Sequence, residues 1–139
     1  YRPTDEAFPY AHTFVSVGNP HVVIPVDDVD AFPLEDVGPE LEHHAWFPER
    51  ANVEVMAPVD RHRVRMRVWE RGVGLTQACG SGACAVAVAA VANGTADSPV
   101  AVELPGGELV IEVGEDGAVT MHGPANRVEH VAIPDELAA

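Results

Sequence analysis

Between Val68 and Ala92 the chain reads VWERGVGLTQACGSGACAVAVAAVA, and no other stretch restricts the fold as much. A β-type run ends in Glu70-Arg71, a glycine-rich turn follows, and Cys79-Gly80-Ser81-Gly82 opens a segment of Ala and Val that runs to Ala92. A helix that is apolar on every side has no face to offer solvent, so it must be enclosed. Everything around it reads as short strands. The fold class expected is therefore α+β, a barrel-like mixed or antiparallel sheet around a central apolar helix.

The strands are read from period-two runs bounded by turn signals. Ala11 to Val17 and His21 to Val26 are β-rich and broken by Gly18-Asn19-Pro20, which puts Asn19 and His21 at a strand edge. Asn52 to Val59 and His62 to Glu70 are the clearest pair, joined through Pro58-Val59-Asp60. In the second, Arg61, Arg63, Arg65 and Arg67 fall on one face and Val64, Met66 and Val68 on the other. After the stop at Asn93-Gly94 come four further runs, Val100 to Leu104, Glu108 to Val113, Ala118 to His122 and Arg127 to Ile133, separated by Gly- and Pro-rich turns. The acidic, proline-punctuated stretch from Asp27 to His44 has room for one short helix over Pro33 to His44, its carboxylates solvated. Residues 1–10 read as a linker or lead-in, and 11–139 as a single domain.

The chain carries 22 acidic and 8 basic residues for a net charge of −14, and all the basic ones are arginine. Nucleic acid is a poor partner for such a surface. The acidity fits a salt-rich cytoplasm and a GC-rich genome equally. Two cysteines make no disulfide framework, which suits a reducing compartment and a cytoplasmic location. No run has the length and flanks of a membrane span. A chain starting at Tyr1 rather than Met reads as part of a longer product.

The position of Cys79 has chemical consequences. The first N–H groups of a helix lack intrahelical partners, and the dipole there favours an anion or a thiolate. A thiol so placed is expected to titrate below its usual range. Gly80 and Gly82 allow close approach to a ligand, and Ser81 is a candidate N-cap. Cys84 lies about 140° further round the helix, facing the core, and is not a partner for Cys79. The same residues also fit a small buried cysteine ahead of a plain helix start.

Other patterns are set aside. Gly80-Ser81-Gly82 with Ala85 matches a dinucleotide-binding spacing, but a meander of strands follows the helix instead of a parallel βαβ unit. Ser81 is not in a nucleophile elbow, because Cys79 holds the first glycine position. The pair His43-His44 lacks further spaced ligands, so no metal site is expected. Singly, Asn19, His21, Asn52, Glu70 and Arg71 read as turn or surface residues. With Cys79 they form a set of amides and an arginine for a carboxylate, a glutamate for an ammonium, and a histidine to tune a thiol.

Gly18-Asn19-Pro20-His21, Asn52-Val53-Glu54-Val55, Arg67-Val68-Trp69-Glu70-Arg71-Gly72 and Ala78-Cys79-Gly80-Ser81-Gly82-Ala83-Cys84-Ala85, in that order, resemble the C-terminal half of diaminopimelate epimerase. Leu104-Pro105-Gly106-Gly107-Glu108 and Gly123-Pro124-Ala125 look like the same family. The resemblance implies one half of a two-domain fold and a cofactor-independent, PLP-independent epimerisation of LL- to meso-diaminopimelate in lysine biosynthesis. One cysteine thiolate removes the α-proton and a second cysteine protonates the opposite face. By that resemblance Cys79 is one of the pair. His21 and Glu70 tune the thiols, Gly80 and Ser81 hold the α-carboxylate, and Asn19, Asn52, Glu70 and Arg71 bind the rest of the substrate.

The half carrying the partner cysteine is absent, so the chain alone is expected to be inactive. It needs an N-terminal half; a homodimer pairing two copies of Cys79 is the less direct route. Two other readings stand beside this one: a racemase or isomerase of the same fold on another amino acid, and a non-catalytic ligand-binding domain.

Overall fold

The computed structural model describes residues 10–45, 47–77 and 79–123, with the main chain of 128–132. The expected lead-in over 1–9 lies outside the described residues, as do Ala78, Pro124, Ala125, Arg127 and Ile133.

Strands β1 (Thr13–Ser16) and β2 (Pro20–Pro25) are antiparallel and joined through Gly18, whose φ of +101° suits glycine. The chain then crosses through α1 (Leu34–Glu42) to β3 (Asn52–Asp60), which runs parallel to β2 and sets His21 beside Asn52 and Val23 beside Glu54. Strand β4 (Arg63–Glu70) returns antiparallel with Glu54 opposite Val68. The turn between them is Arg61-His62, beyond the expected Pro58-Val59-Asp60. Asp60 stays in the strand, its Oδ1 accepts from His62 N–H at 2.8 Å, and the register shifts between Pro58 and Asp60. A three-residue strand, β5 (Gly74–Thr76), folds back on β4 within the stretch read only as a glycine-rich turn.

Helix α2 (Gly80–Ala92) leads to β6 (Val100–Leu104), parallel to β4, and then to the antiparallel series β7 (Gly107–Val113), β8 (Ala118–His122) and β9 (Val128–Ala132). Among the described residues the strands form one sheet, β1-β2-β3-β4-β6-β7-β8-β9 with β5 on β4. Helix α2 touches β1, β2, β3, β4, β6, β7 and β8. One helix can reach that many strands only if the sheet curls around it. Its small side chains let the strands come close, and eight α2 residues from Gly82 to Ala90 are buried. Val64, Met66, Val68, Val102, Ile111 and Val119 pack against them. Helix α2 ends as expected: Gly94, at a φ of +74°, donates its N–H to the Val91 carbonyl at 3.1 Å.

The short helix expected within Pro33 to His44 is α1, but it does more than present solvated carboxylates: it covers a second core. On the outer face of the sheet α1 and Phe47 cover Val22, Ile24, Val53 and Val55, so the middle of β3 is buried on both sides. Gly38 of α1 seats against Trp69, where a Cβ would lie 2.5 Å from the indole Cγ. Nor are all the acidic residues of this stretch solvated. Glu42 is 4% exposed and accepts from Trp69 Nε1 at 2.9 Å, from Gly72 N–H at 3.0 Å and from Arg50 at 3.3 Å. A carboxylate this deep is stable because those donors replace its water. The Arg63, Arg65 and Arg67 face does lie outward, each guanidinium beside a carboxylate.

Candidate active site

The sheet brings four separated segments to one rim. Strands β2 and β3 both start there, β4 ends there, and α2 starts there. Asn19, His21, Asn52, Glu70, Arg71, Cys79, Gly80 and Ser81 all fall on this rim.

Cys79, not Ser81, is the N-cap of α2. Its backbone is extended and its Sγ accepts from the Gly82 N–H at 3.3 Å. Ser81 lies inside the first turn, and its Oγ sits 3.6 Å from Sγ. Gly82 leaves little room at this point: a Cβ there would lie 3.1 Å from Glu54 Oε2 and 3.2 Å from Sγ, so those side-chain atoms would have to give by a few tenths of an ångström. The sulfur is only partly exposed. Burial pushes the Cys79 thiol above its ordinary value, the Ser81 and Gly82 hydrogen bonds pull it down by less, and the Glu54 and Glu70 carboxylates add to the rise. The expected low titration is thus reversed. Withdrawal from water and two nearby acids outweigh the donors at the helix end.

From Ser81 a line of hydrogen bonds runs inward. Asn19 Nδ2 donates to Ser81 Oγ at 3.4 Å, Asn19 Oδ1 lies 3.0 Å from His21 Nε2, and His21 Nδ1 lies 2.6 Å from Glu54 Oε2. His21 and Glu54 are fully buried. Among the described residues, the hydrogen bonds that link His21 to the sulfur run through Asn19 and Ser81. Burial drives the Glu54 carboxyl up, His21 opposes this, and Glu70 adds to it. Glu54 was not among the predicted site residues. Its signal was present: Asn52, Glu54 and Met56 alternate with Val53 and Val55, so an acid stands at an inward position of an otherwise apolar central strand.

Asn52 and Arg71 form the neighbouring part of the rim. Asn52 Nδ2 donates to the Pro20 carbonyl at 2.9 Å, and its Oδ1 accepts from the Arg71 main-chain N–H at 2.7 Å, tying β2 to the end of β4. Among the described residues, Arg71 is the one arginine whose guanidinium faces no carboxylate: it donates to the Glu49 carbonyl at 3.2 Å, while Arg50, Arg61, Arg63, Arg65 and Arg67 all have acidic partners. Among the described residues no three His, Cys, Asp or Glu gather as metal ligands. A hollow of about 760 Å³, lined by Asp30, Phe32, Glu35, Arg67, Leu75 and Gln77 among others, includes none of these rim residues in its lining. Its arginine is already engaged by Glu35 and by the Val29 and Phe32 carbonyls. No helix among the described residues is long and apolar enough to cross a membrane.

Two solved structures share the fold. A phenazine biosynthesis protein of the PhzF family from Bacillus anthracis superposes with a TM-score of 0.53 at 19% identity, over 81% of this chain and 38% of its own length. One from Enterococcus faecalis gives 0.55 at 15% identity, over 75% and 37%. In sequence, a diaminopimelate epimerase of Pseudomonas entomophila is 58% identical over 82% of this chain and 42% of its own length. That of Pseudomonas fluorescens strain Pf0-1 is 50% identical over 92% and 47%, and that of Azotobacter vinelandii 56% over 82% and 42%. The chain thus spans less than half the length of these curated relatives. The diaminopimelate epimerase family model matches residues 13–128, a span that takes in every residue of the rim, and the chain belongs to that family.

Proposed function

We propose that this chain, over residues 11–139, is the C-terminal domain of a cytoplasmic diaminopimelate epimerase, supplying one of two cysteines that exchange a proton across the substrate α-carbon. The observation that carries this reading is the sulfur of Cys79 at the mouth of α2, with the Gly82 N–H at 3.3 Å and the Ser81 hydroxyl at 3.6 Å. Burial keeps Cys79 protonated at rest. It therefore enters as the acid: the partner thiolate takes the α-proton, and the Cys79 S–H protonates the carbanion from the other face. The thiolate left behind is held by Gly82 and Ser81. In the reverse direction Cys79 is the base. The α-C–H of an amino acid is a very weak acid, so orientation and a water-poor setting must supply much of the rate.

The N–H groups of Gly80 and Ser81 have no acceptor within the helix and suit the α-carboxylate. Arg71, without a carboxylate partner among the described residues, suits a second, distal carboxylate, with Glu70 beside it for the distal ammonium. Asn52 spends Oδ1 and one Nδ2 hydrogen on the frame and keeps a second hydrogen for substrate, while Asn19 adds an amide next to Ser81. The chemistry needs no cofactor. The partner is the N-terminal half of the same enzyme, which brings the second cysteine.

The test is α-proton exchange of diaminopimelate in D2O. The chain alone is expected to give none, and addition of an N-terminal half is expected to restore it. Robust epimerisation by the chain alone would overturn the two-cysteine reading.

A further inference from the structure

Glu54 has no task in the mechanism above, yet it is 0% exposed and its Oε1 has no hydrogen-bond partner among the described residues. A buried, half-satisfied carboxyl in the central strand is costly to keep. Its other oxygen is the inner end of the line that reaches Cys79, and the direction of each bond in that line is set by chemistry.

Asn19 Nδ2 donates to Ser81 Oγ, so Asn19 turns Oδ1, which can only accept, toward His21 Nε2. Nε2 must therefore carry a proton. His21 Nδ1 and Glu54 Oε2 then share one further proton across 2.6 Å, and whichever atom holds it, the pair has no net charge. At the outer end, Ser81 Oγ has accepted from Asn19 and has its own hydrogen to give. The sulfur of Cys79, at 3.6 Å, receives it. Without Glu54, His21 is free to carry its proton on Nδ1. Nε2 then accepts, the Asn19 amide turns over, and Oδ1 faces Ser81. The Ser81 hydroxyl rotates to Asn19 and leaves the sulfur.

We propose that Glu54 is a positioning residue for Cys79: by holding His21 in its Nε2–H form it fixes the Asn19 amide and so aims the Ser81 hydroxyl at the sulfur. The inference rests on the reading of Cys79 as an acid and base. Among the described residues the charged groups facing Cys79 are Glu54 and Glu70, and Glu54 in turn faces His21 and Glu70.

The experiment is the pH profile of iodoacetamide alkylation of the full chain. Cys84 is fully buried, so the folded protein reports Cys79. Glu54→Met is expected to slow alkylation at pH 8 about tenfold and to raise the midpoint by about one unit. Glu54→Gln, whose amide can donate to Nδ1, is expected to restore the wild-type profile. A midpoint lowered by both variants would show that Glu54 acts only as a charge, and a midpoint moved by neither would show a packing role; either overturns the proposal. Should Glu54→Met fail to fold, the ¹⁵N shifts of His21 in the unaltered chain decide, a protonated Nε2 supporting the proposal and an unprotonated one at neutral pH overturning it. Alkylation needs no turnover, so these outcomes bear on Glu54 alone. Persistence of epimerisation in a reconstituted Cys79→Ala enzyme would instead overturn the reading beneath it.

Discussion

Replacing Glu42 by alanine is the most direct test of how the rim is held. Its carboxylate is the acceptor for Trp69 Nε1 at 2.9 Å and Gly72 N–H at 3.0 Å, and its third donor, Arg50, has a side chain 47% exposed. The exposed arginine contributes a few tenths of a kcal/mol at most. Each of the two sheltered donors loses a charged acceptor, at about 1.5 kcal/mol apiece, so the variant should lose about 3 kcal/mol in urea unfolding at pH 7 and on the order of 10 °C in Tm. Burial pushes the Glu42 carboxyl up, but the bonds from Trp69 and Gly72, with His43 and Arg50 nearby, outweigh it and hold it below its ordinary value. A carboxyl depressed in the folded state contributes stability above its unfolded pKa and loses it as pH falls through the folded one. The gap between wild type and variant should therefore be constant above about pH 5.5 and should close below about pH 4.3. A loss under about 1 kcal/mol, or a gap unchanged down to about pH 3.5, would refute the assignment of Glu42 as the clamp of the Gly72 turn.

Gly82→Ala places a methyl group against Glu54 Oε2 and Cys79 Sγ, and should cut Cys79 alkylation at pH 8 about tenfold with the far-UV spectrum unchanged; an undiminished rate would show that the Gly82 N–H does not support the thiolate. In the reconstituted enzyme Cys79→Ala should lower epimerisation about a thousandfold, whereas Cys84→Ala, in the packed interior, should cost about 1 kcal/mol in urea and keep most of the epimerisation. Arg63→Ala removes ion pairs to Glu103 and Glu108, yet its side chain is 37% exposed, so the urea midpoint should stay where it is; a clear downward shift would contradict solvent screening of this ladder.

The enclosed helix was legible because Ala83 to Ala92 offers no polar stripe, and most strands because their turns carry Gly, Pro or Asp at regular spacing. Strand β5 was not. Three residues starting at Gly74 show no periodicity, and their pairing is imposed by β4. The outer core was missed for a related reason: Asn52-Val53-Glu54-Val55 alternates in polarity as a strand with one solvated face does, so it does not announce that a second layer covers it and that all six positions from Asn52 to Ala57 are buried. Residue types at the rim could be read from the motifs. The direction of the Cys79 shift could not, because it depends on how far burial withdraws the sulfur and on Glu54, which approaches from a strand 25 residues earlier in sequence.

The curled sheet is polar from end to end. Pro20, Asn52, Glu70 and Gly80 all lie at one rim, so the Arg61-His62 turn and the loop from Gly114 to Gly117 fall at the other. That far rim is where a fluorophore, an immobilisation handle or an inserted peptide can be grafted while the sulfur and its neighbours keep their places.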